Sequence, residues 1–132
     1  MTRYKVLVIE DNEQNLYLMR FLLEKNGFVV TDARSGHEGL ELADRMPPDL
    51  ILLDIQLPGM DGYSVALELR KRQWLSTVPI VAVTSYAMAG DREKALAAGA
   101  TDYVEKPIDP ATFVARIRTH LPDGNAPPTL SR

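Results

Sequence analysis

The chain has no cysteine, so neither a disulfide framework nor a thiolate metal site is open to it. Long hydrophobic runs are missing too, since stretches such as Val6 to Ile9 fall far short of the roughly 20 apolar residues a membrane span needs. The opening residues Met1 to Lys5 lead directly into that stretch and lack the apolar core of a secretory signal. Basic residues cluster only at Arg70, Lys71 and Arg72, and a net charge of −3 leaves no electrostatic footprint for nucleic acid. Repeats and low-complexity blocks are absent through residue 121. These absences point to a cytoplasmic protein with neither a membrane nor a nucleic acid as partner.

What is present suits one compact unit. At 132 residues, with 45% apolar and 25% charged side chains, the chain can bury one core without staples and has no room for a second folded domain. Apolar runs at Val6–Ile9, Leu50–Leu53 and Ile80–Val83 read as strands buried on both faces of a parallel sheet, and Val29-Val30 and Tyr103-Val104 as shorter members. Between them lie amphipathic helices. Leu16, Met19, Leu22 and Leu23 share one face of the first, and Phe113, Ile117 and Leu121 share one face of the last. Ser35 with Glu38 has capping-box spacing, Asp109-Pro110 reads as an N-cap with proline at the first helical position, and Asp61-Gly62 suits the turn opening the third helix. Gly27 and Gly99 stand where left-handed helix ends belong. The folded domain is expected over residues 1–121, and residues 122–132 as a disordered tail, or a linker to a further domain. Five alternating β/α units imply an α/β sandwich. The flavodoxin-like strand order 2-1-3-4-5, with helices on both faces, is a common solution and opens its crevice between strands 1 and 3.

The residues at the carboxyl ends of those strands carry the chemistry. Strand 1 ends in Glu10-Asp11, strand 3 in Asp54, strand 4 in Thr84, and strand 5 runs into Lys106-Pro107. Neighbouring strands stand roughly 4.8 Å apart, so this order sets all of them along one rim. Plain readings exist for each: Asp11 or Asn12 as a helix cap, Thr84 as a β-branched strand residue, Lys106 as a surface lysine. Asp54 is harder to explain in that way, because it follows four apolar residues and lies near two other carboxylates. Such a group either takes up a proton or gathers a cation. Oxygen-only ligands favour Mg²⁺, with Mn²⁺ able to substitute. A carboxylate so held can attack phosphorus, with Lys106 and Thr84 stabilising the phosphoryl oxygens.

The segments VLVIEDN (6–12), PDLILLDIQLPGMDG (48–62), VPIVAVT (78–84) and AGATDYVEKP (98–107) make residues 4–121 resemble the receiver domains of bacterial response regulators. The likeness is to the single-domain type and, through EDNEQN (10–15) and YAMAGD (86–91), to the receivers of hybrid histidine kinases. The resemblance implies a phosphohistidine donor on a histidine kinase or phosphotransferase, with Asp54 as phosphoacceptor. Mg²⁺ would be bound by Asp11, Asp54 and the backbone carbonyl of Gln56, and by Glu10 through water. Thr84 and Tyr103 would form a switch pair that reshapes the face of helix 4, strand 5 and helix 5, through which a downstream protein binds and a monomer could pair into a weak dimer. The residues alone read Tyr103 as an ordinary strand aromatic. The resemblance also makes Pro107 a candidate cis peptide and assigns Gln56 and Tyr86 to tuning of dephosphorylation. Glu10, in place of the commoner aspartate, and Ser85, in place of alanine, depart from the usual pattern.

The alternatives divide by mechanism. A receiver catalyses only its own phosphorylation and autodephosphorylation, and serves either as an output protein or as a phosphorelay shuttle to another histidine. A haloacid-dehalogenase-like phosphatase needs a second aspartate two residues after the nucleophile, where Gln56 cannot transfer a proton usefully. A flavodoxin-like or dinucleotide-binding protein needs a phosphate loop after strand 1, where Glu10-Asp11-Asn12-Glu13 would repel phosphate. A degenerate scaffold would have lost part of the acidic pair, aspartate, threonine and lysine set, all of which is present. Arg70, Lys71 and Arg72 are expected to cap helix 3 and face solvent. His37 and His120 are expected to be isolated at the surface, and Trp74 to pack locally.

Overall fold

The computed structural model describes residues 3–85 and 88–122. Five strands, β1 (Lys5–Ile9), β2 (Val29–Ala33), β3 (Leu50–Asp54), β4 (Ile80–Thr84) and β5 (Asp102–Glu105), alternate with helices α1 (Glu13–Lys25), α2 (Gly36–Arg45), α3 (Gly62–Arg70), α4 (Asp91–Ala97) and α5 (Pro110–Arg118). The strands form one parallel sheet in the order β2-β1-β3-β4-β5, as the alternation of elements suggested. No described helix is long and apolar enough to cross a membrane.

Strand periodicity explains the two cores. Side chains alternate between sheet faces, so Leu7, Ile9, Ile51, Leu53, Ile80 and Ala82 pack with α2, α3 and α4. Val6, Val8, Leu50, Leu52, Val81 and Val83 pack with α1 and α5. Both sets are needed because the central strands are covered on either side, which is why they read as continuous rather than alternating apolar runs.

Helices α1, α2, α3 and α5 begin where their caps predict, whereas α4 follows Gly90 with no side-chain cap. Asn12 Oδ1 accepts from Asn15 N, Ser35 Oγ from Glu38 N, Asp61 Oδ1 from Ser64 N and Asp109 Oδ1 from Ala111 N. Glu38 reaches back to the Arg34 N–H at 2.7 Å, one residue before the position of the usual capping box. Gly27 and Gly99 have φ of +91° and +114°, the left-handed geometry that ends helices.

Three peripheral expectations require correction. Arg70 turns inward instead of facing solvent, donating to the carbonyls of Gly99, Leu75 and Val78 at 2.9, 2.8 and 2.6 Å. No carboxylate lies among those partners, and burial lowers its pKa. Arg72 does cap α3 through the Glu68 carbonyl at 2.7 Å. Trp74 is 57% exposed, because its 3-10 turn buries Leu75 in its place. His120 is not isolated: its Nε2 lies 2.9 Å from Asp102 Oδ2, in a network where Arg116 grips the same carboxylate with two nitrogens at 2.9 Å. Tyr86 and residues 123–132 lie outside the described residues, and with them the expectations placed on Tyr86 and on nearly all of the tail.

Candidate functional site

Parallel register places the polar strand ends on one rim. Ile9 pairs with Leu53, Asp54 with Val83 and Thr84 with Glu105, so Glu10, Asp54, Thr84 and Lys106 emerge from four adjacent strands within about one residue of the same level. The apolar strands that carry them hold them inside the fold: Glu10, Asp54 and Thr84 are 0%, 3% and 1% exposed. Asp11, one residue further, is exposed. The Lys106–Pro107 peptide is cis, as expected.

Among the described residues, Lys106 provides the one positive charge at the centre. Its Nζ lies 2.9 Å from Glu10 Oε1 and 3.5 Å from Asp54 Oδ1, with the side chain 8% exposed. Backbone donors add partial compensation, as Gln56 N donates to Asp54 Oδ1 at 3.0 Å and Asn12 N to Glu10 Oε2 at 3.1 Å. These are not enough. Burial and the neighbouring Glu10 charge push the Asp54 carboxyl up to about 6, against the opposing pull of Lys106 and the Gln56 N–H.

The carboxylate oxygens of Glu10, Asp11 and Asp54 lie within 4.8 Å of one another. Glu10 Oε1 is fully buried and, despite the charge of Lys106 nearby, receives no hydrogen bond of good geometry. Three acidic groups against one lysine and a set of oxygen-only ligands together fit a hard divalent cation such as Mg²⁺. Asp11, Asp54 and the Gln56 main chain could hold it, with Glu10 behind them.

The Gln56 side chain has a second engagement that sequence reasoning missed. Its Nε2 donates to Thr84 Oγ1, and its Oε1 accepts from Ser85 N at 3.1 Å. Nothing local signals this, because the partner threonine is 28 positions away.

Tyr103 stands on the next strand, 7% exposed, in the core shared with α2, α3 and α4. Its hydroxyl is buried beside the Thr84 hydroxyl. Burial, followed by the charges of Asp91 and Glu105, raises its pKa. Beyond it α4, β5 and α5 enclose a shallow depression of about 640 Å³, bordered by Met88, Arg92, Tyr103, Glu105, Thr112 and Arg116. Met88 is 72% exposed and Leu96 39%.

Comparison with known proteins agrees with this fold. The family model described as the response regulator receiver domain matches residues 6–118. The polar-differentiation response regulator DivK of Brucella ovis is 42% identical over 118 residues, covering 89% of this chain and 96% of its own length. Among solved structures, the chemotaxis protein CheY4 of Vibrio cholerae superimposes with a TM-score of 0.87 at 26% identity, covering 91% of this chain and all of its own. The receiver domain of the sensor histidine kinase PA1611 from Pseudomonas aeruginosa, solved with a magnesium ion coordinated in the active-site cleft, gives 0.80 at 38% identity, over 88% and 94% of the two chains.

Proposed function

The chain belongs to the response regulator receiver family, and from that premise we propose that it accepts a phosphoryl group on Asp54 in a Mg²⁺-dependent reaction and signals by binding a partner protein. One observation carries the reading: Glu10, Asp54, Thr84 and Lys106 converge on one rim with the Lys106 ammonium between the two buried carboxylates.

An Asp54 carboxylate oxygen attacks phosphorus in line, forming the O–P bond as the N–P bond of a phosphohistidine breaks and its electron pair stays on the imidazole nitrogen. Lys106 exchanges its contact with Asp54 for one with the phosphoryl oxygens, and the Thr84 hydroxyl donates to another. Asp11, Asp54 and the Gln56 carbonyl would hold Mg²⁺, with Glu10 acting through water, and the bound ion would supply positive charge against the transferring group. The donor is a histidine kinase or histidine phosphotransferase.

Movement of the Thr84 hydroxyl toward the phosphoryl group alters the surroundings of Tyr103, which borders the depression between α4, β5 and α5. The output is a shift in the population of two forms of that face, which a downstream protein reads. Receiver domains are signalling proteins and not enzymes in the usual sense, and a cytoplasmic location suits the role. Gln56, standing where a phosphatase would need an acid, argues against hydrolysis of an external substrate.

Incubation with acetyl phosphate and Mg²⁺, followed by intact mass measurement, tests the assignment. The wild type should gain one phosphoryl group and Asp54→Asn none. A stable phosphoryl group on the Asn variant would assign the chemistry elsewhere. Loss of label on adding a histidine phosphotransferase would favour relay over output.

A further inference from the structure

We infer that the Gln56 side chain is a latch that occupies the Ser85 N–H and pins the Thr84 hydroxyl oxygen in the unphosphorylated state, and that it must release both before Asp54 can be phosphorylated. The inference rests on the phosphoacceptor reading above and extends it to a positioning residue whose part lies apart from its main-chain carbonyl.

Hydrogen-bond chemistry fixes the direction of the carboxamide. A backbone N–H can only donate, so the Gln56 atom that meets Ser85 N at 3.1 Å must be the oxygen, and the nitrogen then faces Thr84 Oγ1 as donor. One planar group thus occupies the hydroxyl at the end of β4 and the first main-chain N–H beyond it. Thr84 is 1% exposed, so water cannot readily replace the amide on its hydroxyl oxygen, and the hydroxyl also lies within reach of the Tyr103 hydroxyl.

Both engaged groups lie beside the phosphoacceptor. Val83 pairs with Asp54, and Thr84 and Ser85 follow it directly. Gln56 is anchored there too, as its own N–H donates to Asp54 Oδ1 at 3.0 Å. A phosphoryl oxygen arriving on Asp54 needs donors on the β4 side. The Thr84 hydroxyl must turn its proton toward that oxygen, and the Ser85 N–H is the adjacent main-chain donor. The carboxamide oxygen already sits as an acceptor on that N–H. At that N–H the amide oxygen stands in for a phosphoryl oxygen, while its nitrogen pins the Thr84 oxygen from the same side, and the reaction proceeds only when the amide moves aside.

The latch links two elements as well as two groups. Gln56 lies in the β3–α3 connection, and Ser85 opens the β4–α4 connection. Its closure ties Ser85 to the phosphoacceptor loop, and its release frees the Ser85 N–H for the arriving phosphoryl group.

Two substitutions separate hydrogen bonding from bulk. Gln56→Met keeps the length of the side chain without its polar atoms, and Gln56→Ala removes both. The rate of phosphorylation by acetyl phosphate is read at saturating Mg²⁺, where Asp54 forms its O–P bond as acetate leaves with the electrons of the broken bond. Both variants should be phosphorylated faster than wild type, by about two- to tenfold, the range that the net worth of a neutral hydrogen bond implies. The Mg²⁺ dissociation constant should stay within about twofold, since only main-chain contact with the ion is assigned to Gln56. The Ser85 amide resonance of the unphosphorylated protein should move in both. Unchanged or slower phosphorylation overturns the latch, as does acceleration in Gln56→Ala alone, which would point to simple occlusion, or an Ser85 amide that stays in place. Failure of wild type to take label on Asp54 would overturn the phosphoacceptor reading itself, and the latch with it.

Discussion

Asp102 shows how a residue far from the crevice can govern stability. It opens β5 at the opposite end from Lys106, nearly buried, and is held by Arg116, His120 and its neighbour's N–H at 2.7 Å. Burial alone would push its carboxyl up, but Arg116, His120 and the Tyr103 N–H outweigh that and hold it well below the usual carboxylate range. A folded-state pKa below the unfolded one stabilises the fold above the unfolded value, near 3.9, and that stabilisation is lost as pH falls through the folded value. Asp102→Asn should therefore cost about 2 kcal/mol at neutral pH, as the loss of charge-assisted hydrogen bonds implies. The deficit should hold steady down to about pH 5 and narrow below about pH 4. Urea titrations at several pH values measure it, and a deficit that grows with acidification would contradict the assignment. The network was not legible in the sequence, because an aspartate before a strand aromatic carries no mark of the arginine and histidine that fold back on it. Asp54 was legible because the four apolar residues before it already declare a buried strand, and any charge at its end needs a reason. Gln56 falls between the two: its place beside Asp54 was visible, its grip on Thr84 was not.

At the scale of elements, the connection from β3 to α3 carries a main-chain steric requirement beside the site. A Cβ on Gly62 would lie 2.5 Å from Ile55 Cα and 2.7 Å from Asp54 O, so main chain packs against main chain where the helix begins. The Gly62 N–H also donates to the Ile55 carbonyl at 3.0 Å. Because the obstacles are backbone atoms, they cannot rotate away as a flexible side chain would, and relief must come from movement of the Asp54–Gln56 segment. Gly62→Ala should cost about 1–3 kcal/mol, the usual range for forced overpacking. It should also slow acetyl phosphate labelling more than that loss of stability explains, since the displaced segment carries both the phosphoacceptor and a proposed metal-ligating carbonyl. Denaturant titration and labelling rate, compared on folded protein, test this, and a destabilised variant labelled at the wild-type rate would show that the strain is absorbed elsewhere. Asp61-Gly62 was legible as the opening of α3 from turn and cap chemistry. The close approach was not, because it depends on how the helix sits against the end of β3. Helix starts were read well for the same local reason, as Asn12, Ser35, Asp61 and Asp109 each satisfy an N–H within three residues.

The molecule as a whole places its least stable electrostatic arrangement at the crevice and its apolar support beneath it. Strand order came from the general behaviour of alternating β/α chains rather than from any residue, and the positions of Glu10, Asp54, Thr84 and Lys106 make sense only in that order. Its consequence is a crevice whose converging carboxylates work against the fold. The folded-state pKa of Asp54 is raised to about 6 from an ordinary 3.8, so without metal the fold gains stability from a proton on this group. That contribution is complete below the unfolded value and disappears as pH rises through about 6. Mg²⁺ competes with the same proton, so its stabilising effect should grow across that window. At pH 8 and a concentration about 100 times its dissociation constant, a ligand bound only by the folded state adds about 2.7 kcal/mol. The Mg²⁺-induced rise in Tm should therefore be substantial at pH 8 and small at pH 5 for the same concentration. Asp54→Asn should be more stable than wild type in metal-free buffer at pH 8, because one of the three converging charges is gone, and should respond weakly to Mg²⁺ at either pH. Thermal unfolding with and without Mg²⁺ reads all of these, and an equal shift at the two pH values would mean that the ion does not bind through Asp54.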